Sequence, residues 1–367
     1  NRRACIARRD GRFANRSLPW MGAWLIPKQS VTPYSQGCLH RSRERRILAQ
    51  HMAIIFIFAD GIGLAPAGLD NPLSTATMPI LHNLLGGPLT TESVGSSTYL
   101  LLRPIDATLG VDGLPQSGTG HTALLGGFNA SKLHGRHQPH LPPIALRPRL
   151  AAENVFHMVQ KLGKQAAFAN VFGPNYWQAL EQGRLRPSAS VIAANGAKIR
   201  LRTLSDYQSG AAVAWDVTGT LLSAYEPEIM PTTPEQAGIV LAKLAYTHDL
   251  VFFETFLPDL AAHERLGTYR RDQADSNDAN SSSRLLQIHT ALELIDALIG
   301  ATVAAMRPSD TLLLTSDHGN IESLAAKSHT RHPVPLLAIG RSAPAFANIE
   351  SIAGVADAII AALTETP

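Results

Sequence analysis

The chain has 367 residues, 45% of them hydrophobic and 17% charged, with a formal net charge of +3. That length exceeds one typical core, so a large domain with a smaller companion is the default, and the composition is globular rather than disordered or fibrous. The charge is unevenly placed: residues 1–51 carry a balance of +9 and the remaining 316 a balance of −6, which removes any general case for nucleic-acid binding by the globular part.

Residues 1–51 hold both cysteines, Cys5 and Cys38, and show no hydrophobic periodicity. The rest of the chain needs no disulfide and has no Cys-based metal site, which suits a cytoplasmic protein. Met52 stands directly before the first strand-like run. The plainest reading of 1–51 is therefore a basic leader, disordered or upstream of the natural start. An Arg-rich, acid-poor transit segment comes second and a nucleic-acid arm last. Removing the leader is expected to leave folding intact. The longest apolar run near the start, Ala53 to Ala59, is too short to span a bilayer, so neither a transmembrane helix nor a membrane partner is expected.

Ala53 to Phe58 (AIIFIF) has the character of a central parallel strand, and Asp60, Gly61, Ile62 and Gly63 follow it. Asp60 is either a carboxylate delivered to the sheet edge or a turn residue, and in isolation the turn reading prevails. Leu114 to Gly127 (LPQSGTGHTALLGG) sets Ser117 among small residues, before a helix expected from about Thr119. Ser117 would then meet the amides of a helix N-terminus, a natural anion site, and Gly118 and Gly120 allow close approach of a ligand. A flexible linker is the alternative, but it does not explain the apolar helix that follows at once.

Lys132 to Pro143 spaces His134, His137 and His140 by threes around Arg136. Pro139, Pro142 and Pro143 oppose the helix that would align the imidazoles, so the segment reads as a lid or substrate loop rather than a metal site. Ala151 to Leu162 has a helical apolar face, Gln165 to Phe172 reads as a strand, and the breaker-rich pieces after 173 suggest an inserted α+β cap over 131–245. Arg136, Arg149, Lys164, Arg200 and Arg202 are among its candidate anchors for an anionic substrate.

Leu250 to Phe256 (LVFFETF) repeats the buried-strand pattern. Asp259 and His263 follow at i,i+4 spacing, as ligands of one ion or as an ordinary surface pair. Residues 272–283 are polar and low in complexity, the pattern of a mobile loop. Ala291 to Met306 is an amphipathic helix. It leads into TLLLTSDHGNIESLAAKSHTRHPVP, Thr311 to Pro335, where a strand stops at Ser316 and presents Asp317, His318, Gly319 and Asn320. His329 comes eleven residues after His318. Leu336 to Ile339 reads as a further strand, and Asn348 to Leu363 as a closing helix.

Three apolar strands thus end in candidate ligands, and a parallel α/β sheet gathers such ends along one edge. Three Asp and three His without Cys suit two divalent ions of the Mn or Zn type better than Mg alone. Two ions about 4 Å apart would clamp an in-line phosphoryl displacement.

Together these motifs resemble the alkaline phosphatase superfamily, in the branch of cofactor-independent phosphoglycerate mutases and phosphopentomutases. The resemblance covers roughly Ala53 to Gly127 and Val251 to Gly340. FADGIG resembles the segment of the first metal aspartate, Asp60. SGTGH resembles the nucleophile segment and selects Ser117 with His121. PDLAAH resembles Asp-x-x-Gly-His, with Ala262 where that motif has Gly, and gives Asp259 and His263. TSDHGNIE gives Asp317 and His318. HTRHPVP resembles His-Thr-x-Asn-Pro-Val-Pro and gives His329, with His332 at the Asn position.

The resemblance implies a mostly parallel sheet sandwiched by helices, with the metal-binding core in 52–130 and 246–367. It implies two divalent ions, Mn²⁺ before Zn²⁺ or Mg²⁺. Asp60, Ser117, Asp317 and His318 would surround one and Asp259, His263 and His329 the other. It further implies a phosphoserine on Ser117 and a small phosphorylated substrate, with His121, Arg136 and His137 as candidate substrate contacts. A phosphomutase and a phosphohydrolase both fit. A sulfatase fits less well, because its Cys/Ser-x-Pro-x-Arg setting is absent. A catalytically silent binding protein of the same fold fits least.

Overall fold

The computed structural model describes residues 52–266 and 282–364; the leader with its two cysteines and the polar stretch up to 281 lie outside the described residues. The strands are β1 (Ile54–Ala59), β2 (Gly95–Ser96), β3 (Leu100–Ile105), β4 (Ala166–Phe168), β5 (Leu250–Thr255), β6 (Thr311–Thr315) and β7 (Val334–Gly340). Helices that bear on the core or the site are α1 (Ser117–Gly126), α2 (Arg147–Ala152), α3 (Val155–Lys161), α4 (Ala189–Gly196), α5 (Pro234–Leu244), α6 (Leu257–Ala262), α7 (Ser282–Ala305) and α8 (Val355–Thr364).

One mostly parallel sheet organises the chain, in the order β2-β3-β7-β6-β1-β5-β4. β6, β1, β5 and β4 are parallel neighbours, whereas β7 runs antiparallel to β6 and β3 antiparallel to β7. β1, β5 and β6 are buried at every position, as strands covered by helices on both faces must be. Their register is level: Phe58 stands opposite Glu254 on one side and Thr315 on the other. The three chains therefore leave the sheet at one height, side by side. That register brings Asp60, Asp259 and Asp317 to one edge.

Strand alternation splits the interior into two layers. Ile55, Ile57, Val251, Phe253, Leu312 and Leu314 face α5 and α7. Ile54, Phe56, Phe58, Phe252 and Leu313 face α1, α3, α4 and α8. Phe252 meets Phe56, Phe168 and Phe156 at centroid distances of 5.3, 5.4 and 5.9 Å. Truncating such a residue to Ala costs about 3–5 kcal/mol. α7 is long and apolar enough by length and composition to cross a bilayer, but Ile288, Leu292, Ile295, Ile299 and Val303 are core residues here.

Several elements differ from their sequence expectations, each for a local reason. Ala151 to Leu162 is not one helix: α2 ends at Ala152 with Glu153 as its cap, and Asn154 starts α3, its side chain accepting from the amides of Phe156 and His157 at 3.1 and 3.2 Å. The strand expected over Gln165 to Phe172 is shorter, because beyond Phe168 the backbone turns to pair at Asn170 with Val213 and at Val171 with Arg202. The closing helix starts only at Val355, since the preceding backbone is bonded to Asp106, from Asp106 N–H to Glu350 O and from Ile352 N–H to Asp106 O. Within 131–245, the segment expected as a cap, α2, α3, β4 and α4 carry second-layer core residues, and α5 belongs to the first layer. Val171, Leu204, Ala212, Ala214, Leu222 and Ile229 form a small core of their own.

Candidate metal centre

The edge is built from backbone first. Asp60 donates its N–H to Thr255 O at 3.0 Å and accepts at its carbonyl from Asp259 N–H at 3.1 Å, so the ends of β1 and β5 are stitched together. Gly61 has φ of +81°, and a Cβ there would lie 2.9 Å from Asp259 Cβ. Only glycine lets the two aspartate-bearing turns approach so closely.

The side chains converge in two groups. Asp60, Asp317 and His318 are all buried and form the floor. Asp259, His318 and His329 form the second group, with Asp259 and His329 half-buried toward the opening. In each group, ligand atoms lie within 4.8 Å of one another. His318 belongs to both. Its Nε2 lies 3.1 Å from Asp60 Oδ1, 3.8 Å from Asp317 Oδ1 and 3.0 Å from Ser117 Oγ. Its ring stacks on His329 at 3.7 Å. The division implied by the motifs, with His318 confined to one ion, is thus looser in the structure. His263 stands slightly apart: its Nε2 is 3.5 Å from Asp259 Oδ1, and the Asn320 amide contacts both, at 3.3 and 2.7 Å.

Charge and tautomer suit a cation at this point. Neither Asp317 oxygen has a hydrogen-bond partner although both are buried, and Asp60 Oδ1 has only the His318 imidazole, 3.1 Å away. Donor atoms left bare inside a protein mark a place for an ion. Burial and the neighbouring Asp60 raise Asp317 well above the usual carboxylate range. Burial pushes His318 down, but Asp317, Asp60 and Asp259 outweigh it and raise the imidazole to about 10. Burial also raises Asp259, but His263, His318 and Asn320 outweigh it and hold that carboxylate below its ordinary range. His329 is lowered, first by burial and then by His318. Its Nδ1 donates to Pro115 O at 2.8 Å, which turns Nε2 toward Asp259, 3.6 Å away. In donor type, the two overlapping groups suit divalent metal.

Ser117 is the first residue of α1, two positions earlier than expected, with its hydroxyl at the floor group. Gly120 packs against Asp317, where a Cβ would sit 2.9 Å from the aspartate Cβ. The other sequence candidates fall elsewhere. His121 lies one turn below Ser117, buried on Phe58 with ring centroids 3.9 Å apart, and burial lowers it to about 4. Its Nε2 faces Glu254 Oε2 at 3.9 Å, so it belongs to the wall behind the site rather than to its mouth. His137 is tied to Ser131 Oγ and to Val111 O, both at 3.2 Å, and pins its own loop. Arg136 is exposed on that loop. His134, His137 and His140 form no cluster with metal-ligand spacing among the described residues.

Sequence reasoning missed three contributors. Asn320 holds Asp259 and His263. Glu322 accepts from Gly63 N–H, Asn320 N–H, Thr330 Oγ and His332 Nδ1. Burial raises it, but the bonds from His332 and Thr330 outweigh this and keep it below the usual range. Glu254 accepts from Ser190 Oγ at 2.7 Å and is pushed up to about 8, mainly by burial. A charged residue inside the LVFFETF run, and a Glu closing the TSDHGNIE motif, were the available signals.

Residues 278–364, which include Asp317, His318 and His329, match a family model described as Metalloenzyme superfamily. Over 50 residues the chain is 48% identical to a phosphopentomutase of Methylobacterium sp. (strain 4-46) and 46% identical to one of Chromohalobacter salexigens. Each alignment covers 14% of this chain and only 12% of the length of that relative. Among solved structures, the alkaline phosphatase of the Antarctic bacterium TAB5 is similar at a TM-score of 0.43 and 11% identity, over 86% of this chain and 98% of that one. The C-terminal periplasmic domain of EcEptC from Escherichia coli, in complex with Zn, is similar at a TM-score of 0.47 and 10% identity, over 84% and 80%. The motif resemblance is thus accompanied by a Metalloenzyme superfamily segment and by partial phosphopentomutase relatives.

Proposed function

We propose that the chain is a metal-dependent phosphoryl-transfer enzyme working through a phosphoserine on Ser117, and that it is a phosphomutase of a small phosphorylated sugar or glycerate. The observation that carries this reading is the position of Ser117 Oγ, at the start of α1 and 3.0 Å from His318 Nε2, where the two donor groups meet. Asp60, Asp317 and His318 would hold one ion, and Asp259 and His329, with His263 beside them, the other. Bound there, Mn²⁺ in first place and Zn²⁺ or Mg²⁺ otherwise would lower the hydroxyl pKa and offset charge on the phosphoryl oxygens.

Ser117 attacks phosphorus, and the bond from phosphorus to the substrate oxygen breaks. The N-terminal end of α1 favours the negative charge gathered on that side. Return of the phosphoryl group to a second hydroxyl of the same molecule completes a mutase cycle, whereas transfer to water completes a phosphatase cycle. A mutase must hold the dephosphorylated substrate while it reorients, and must keep water out. The backbone carbonyls of Gln138, Pro139 and Leu141 pack against Gly118, so this loop lies beside the start of α1 and is the candidate cover. Of the basic groups expected as anchors, Arg149, Lys164, Arg200 and Arg202 are engaged with Glu153, Asp249, Asp206 and backbone carbonyls. Arg136, on the loop that carries Gln138, Pro139 and Leu141, is exposed, as are Arg184 and Arg186 of the same segment.

The test is to supply a labelled phosphorylated sugar or glycerate with Mn²⁺ and follow the label. Transfer within the substrate, with little free phosphate, supports the mutase. Stoichiometric phosphate release from every substrate tried would leave phosphoryl transfer standing and make the chain a phosphohydrolase. No turnover even of a generic aryl phosphate, with metal bound, would favour a binding protein.

A further inference from the structure

Three ligand-bearing stretches, one after β1 and two within the single connection from β6 to β7, meet at one carboxylate. Glu322 is 1% exposed and carries no ligand role of its own. Its Oε2 accepts from Gly63 N–H at 2.9 Å, three residues after Asp60, and from Asn320 N–H at 2.8 Å, two residues after His318. Its Oε1 accepts from Thr330 Oγ, the residue after His329, and from His332 Nδ1 at 3.1 Å. The surrounding backbone is shaped to admit it. A Cβ on Gly63 or on Gly319 would run into the Glu322 carboxylate, and neither glycine has a positive φ that would otherwise require it. Two of the glycines in FADGIG and TSDHGNIE thus make room for a shared anchor rather than for a turn.

The same loops are also tied by backbone and hydroxyl contacts. Ile321 N–H donates to Gly61 O, Leu64 N–H to Pro333 O, and Thr330 N–H to Gly319 O. Ser316 Oγ accepts from Ile62 N–H at 3.0 Å. Those contacts join the stretches two at a time. Glu322 is where the exit of β1 and both ends of the β6–β7 connection meet, and it has four donors for its two oxygens.

We propose that Glu322 is the positioning residue of the metal centre: one carboxylate sets the placement of Asp60 on the exit of β1 relative to His318 and His329 on the β6–β7 connection, and thereby the affinity for the ions. The inference rests on the metal-centre reading above but not on the mutase reading. His332 stands where the resembled motif has Asn, so the donor that this chain supplies to Oε1 is an imidazole of its own. Partners that orient ligands commonly affect metal affinity 10–100-fold when removed, and this one acts on stretches that carry three candidate ligands.

The experiment measures Mn²⁺ affinity by competition with a fluorescent chelator, on the full chain, alongside thermal melts of the metal-free proteins. Glu322→Ala should bind Mn²⁺ about 10–100-fold more weakly than wild type. Glu322→Gln keeps an acceptor for the two backbone amides. Its new NH₂ can donate to Thr330 Oγ and to the other tautomer of His332, so it should recover to within about threefold of wild type. Thr330→Val removes one donor without changing volume and should cost several-fold, which keeps the proposal testable if the Ala variant does not fold. Asp70→Ala serves as the fold control. It frees Ser323 and Ala325 on the far side of the same loop, and should lower the melting temperature without changing Mn²⁺ affinity. Wild-type affinity in folded Glu322→Ala or in Thr330→Val overturns the proposal, as does a Gln variant no better than the Ala variant. If the wild-type chain itself binds no Mn²⁺, the metal-centre reading fails first and takes this proposal with it.

Discussion

Replacing Asp317 by Asn separates what the centre costs the fold from what it does for metal. Asp317 is fully buried at the end of β6, neither oxygen has a hydrogen-bond partner, and burial with Asp60 raises it well above the carboxylate range. A buried polar group left unsatisfied costs about 1–3 kcal/mol, and more when charged. Asparagine keeps the shape and removes the charge. The metal-free variant should therefore be more stable than metal-free wild type by about 1–3 kcal/mol, with each kcal/mol raising the melting temperature by about 2–4 °C. Adding Mn²⁺ should reverse the ranking. At free metal about 100-fold above the dissociation constant, wild type gains about 2.7 kcal/mol per site, whereas a neutral amide oxygen gives the variant little. Calorimetric melts of both proteins, first with chelator and then with Mn²⁺, measure the crossing. An Asn variant that melts below wild type in chelator, or that gains as much from Mn²⁺, would refute the claim that Asp317 is a strained metal ligand.

Ser117→Ala should keep Mn²⁺ affinity within a few-fold and lose turnover by about 10³-fold or more; phosphate trapped on Thr119 in the wild type would move the nucleophile elsewhere. Glu254 binds its proton more tightly folded than unfolded, so its contribution to stability falls as pH rises from the ordinary value of 4.5 to about 8 and is flat above. Glu254→Gln should flatten that window in metal-free melts and gain up to about 5 kcal/mol on wild type near pH 9, at 1.36 kcal/mol per pH unit; parallel pH curves for the two proteins would contradict it. Asp206 closes a capping box and takes two bonds from Arg200, and these bonds, Arg200 first, hold it below the carboxylate range. Its contribution is complete above the ordinary value of 3.8 and fades as pH falls through the lower folded value. Asp206→Ala should therefore cost about 1 kcal/mol at pH 7, by a gap in melting temperature that closes in strong acid; a gap independent of pH would count against the pairing.

What the sequence shows of this site depends on the range over which each feature is encoded. Asp60, Asp259 and Asp317 were legible because an apolar run reports a buried strand, and the place where it stops reports the sheet edge. The level register of β5, β1 and β6 is not written in any one run, yet it turns three separate aspartates into one centre. The Glu that closes TSDHGNIE was visible, but what it anchors was not, for the same reason. Its four donors come from Gly63, Asn320, Thr330 and His332, and no local pattern says that the first of these will lie beside the other three. His121 shows how a motif can name a residue without placing its side chain. The motif sets it four residues after Ser117, and on a helix that spacing keeps both on one face. Because α1 lies on the sheet with Ser117 at its open end, one turn further along is already inside, over Phe58 and against Glu254. Helical geometry and the placement of α1, more than residue type, make Ser117 reachable and His121 part of the wall.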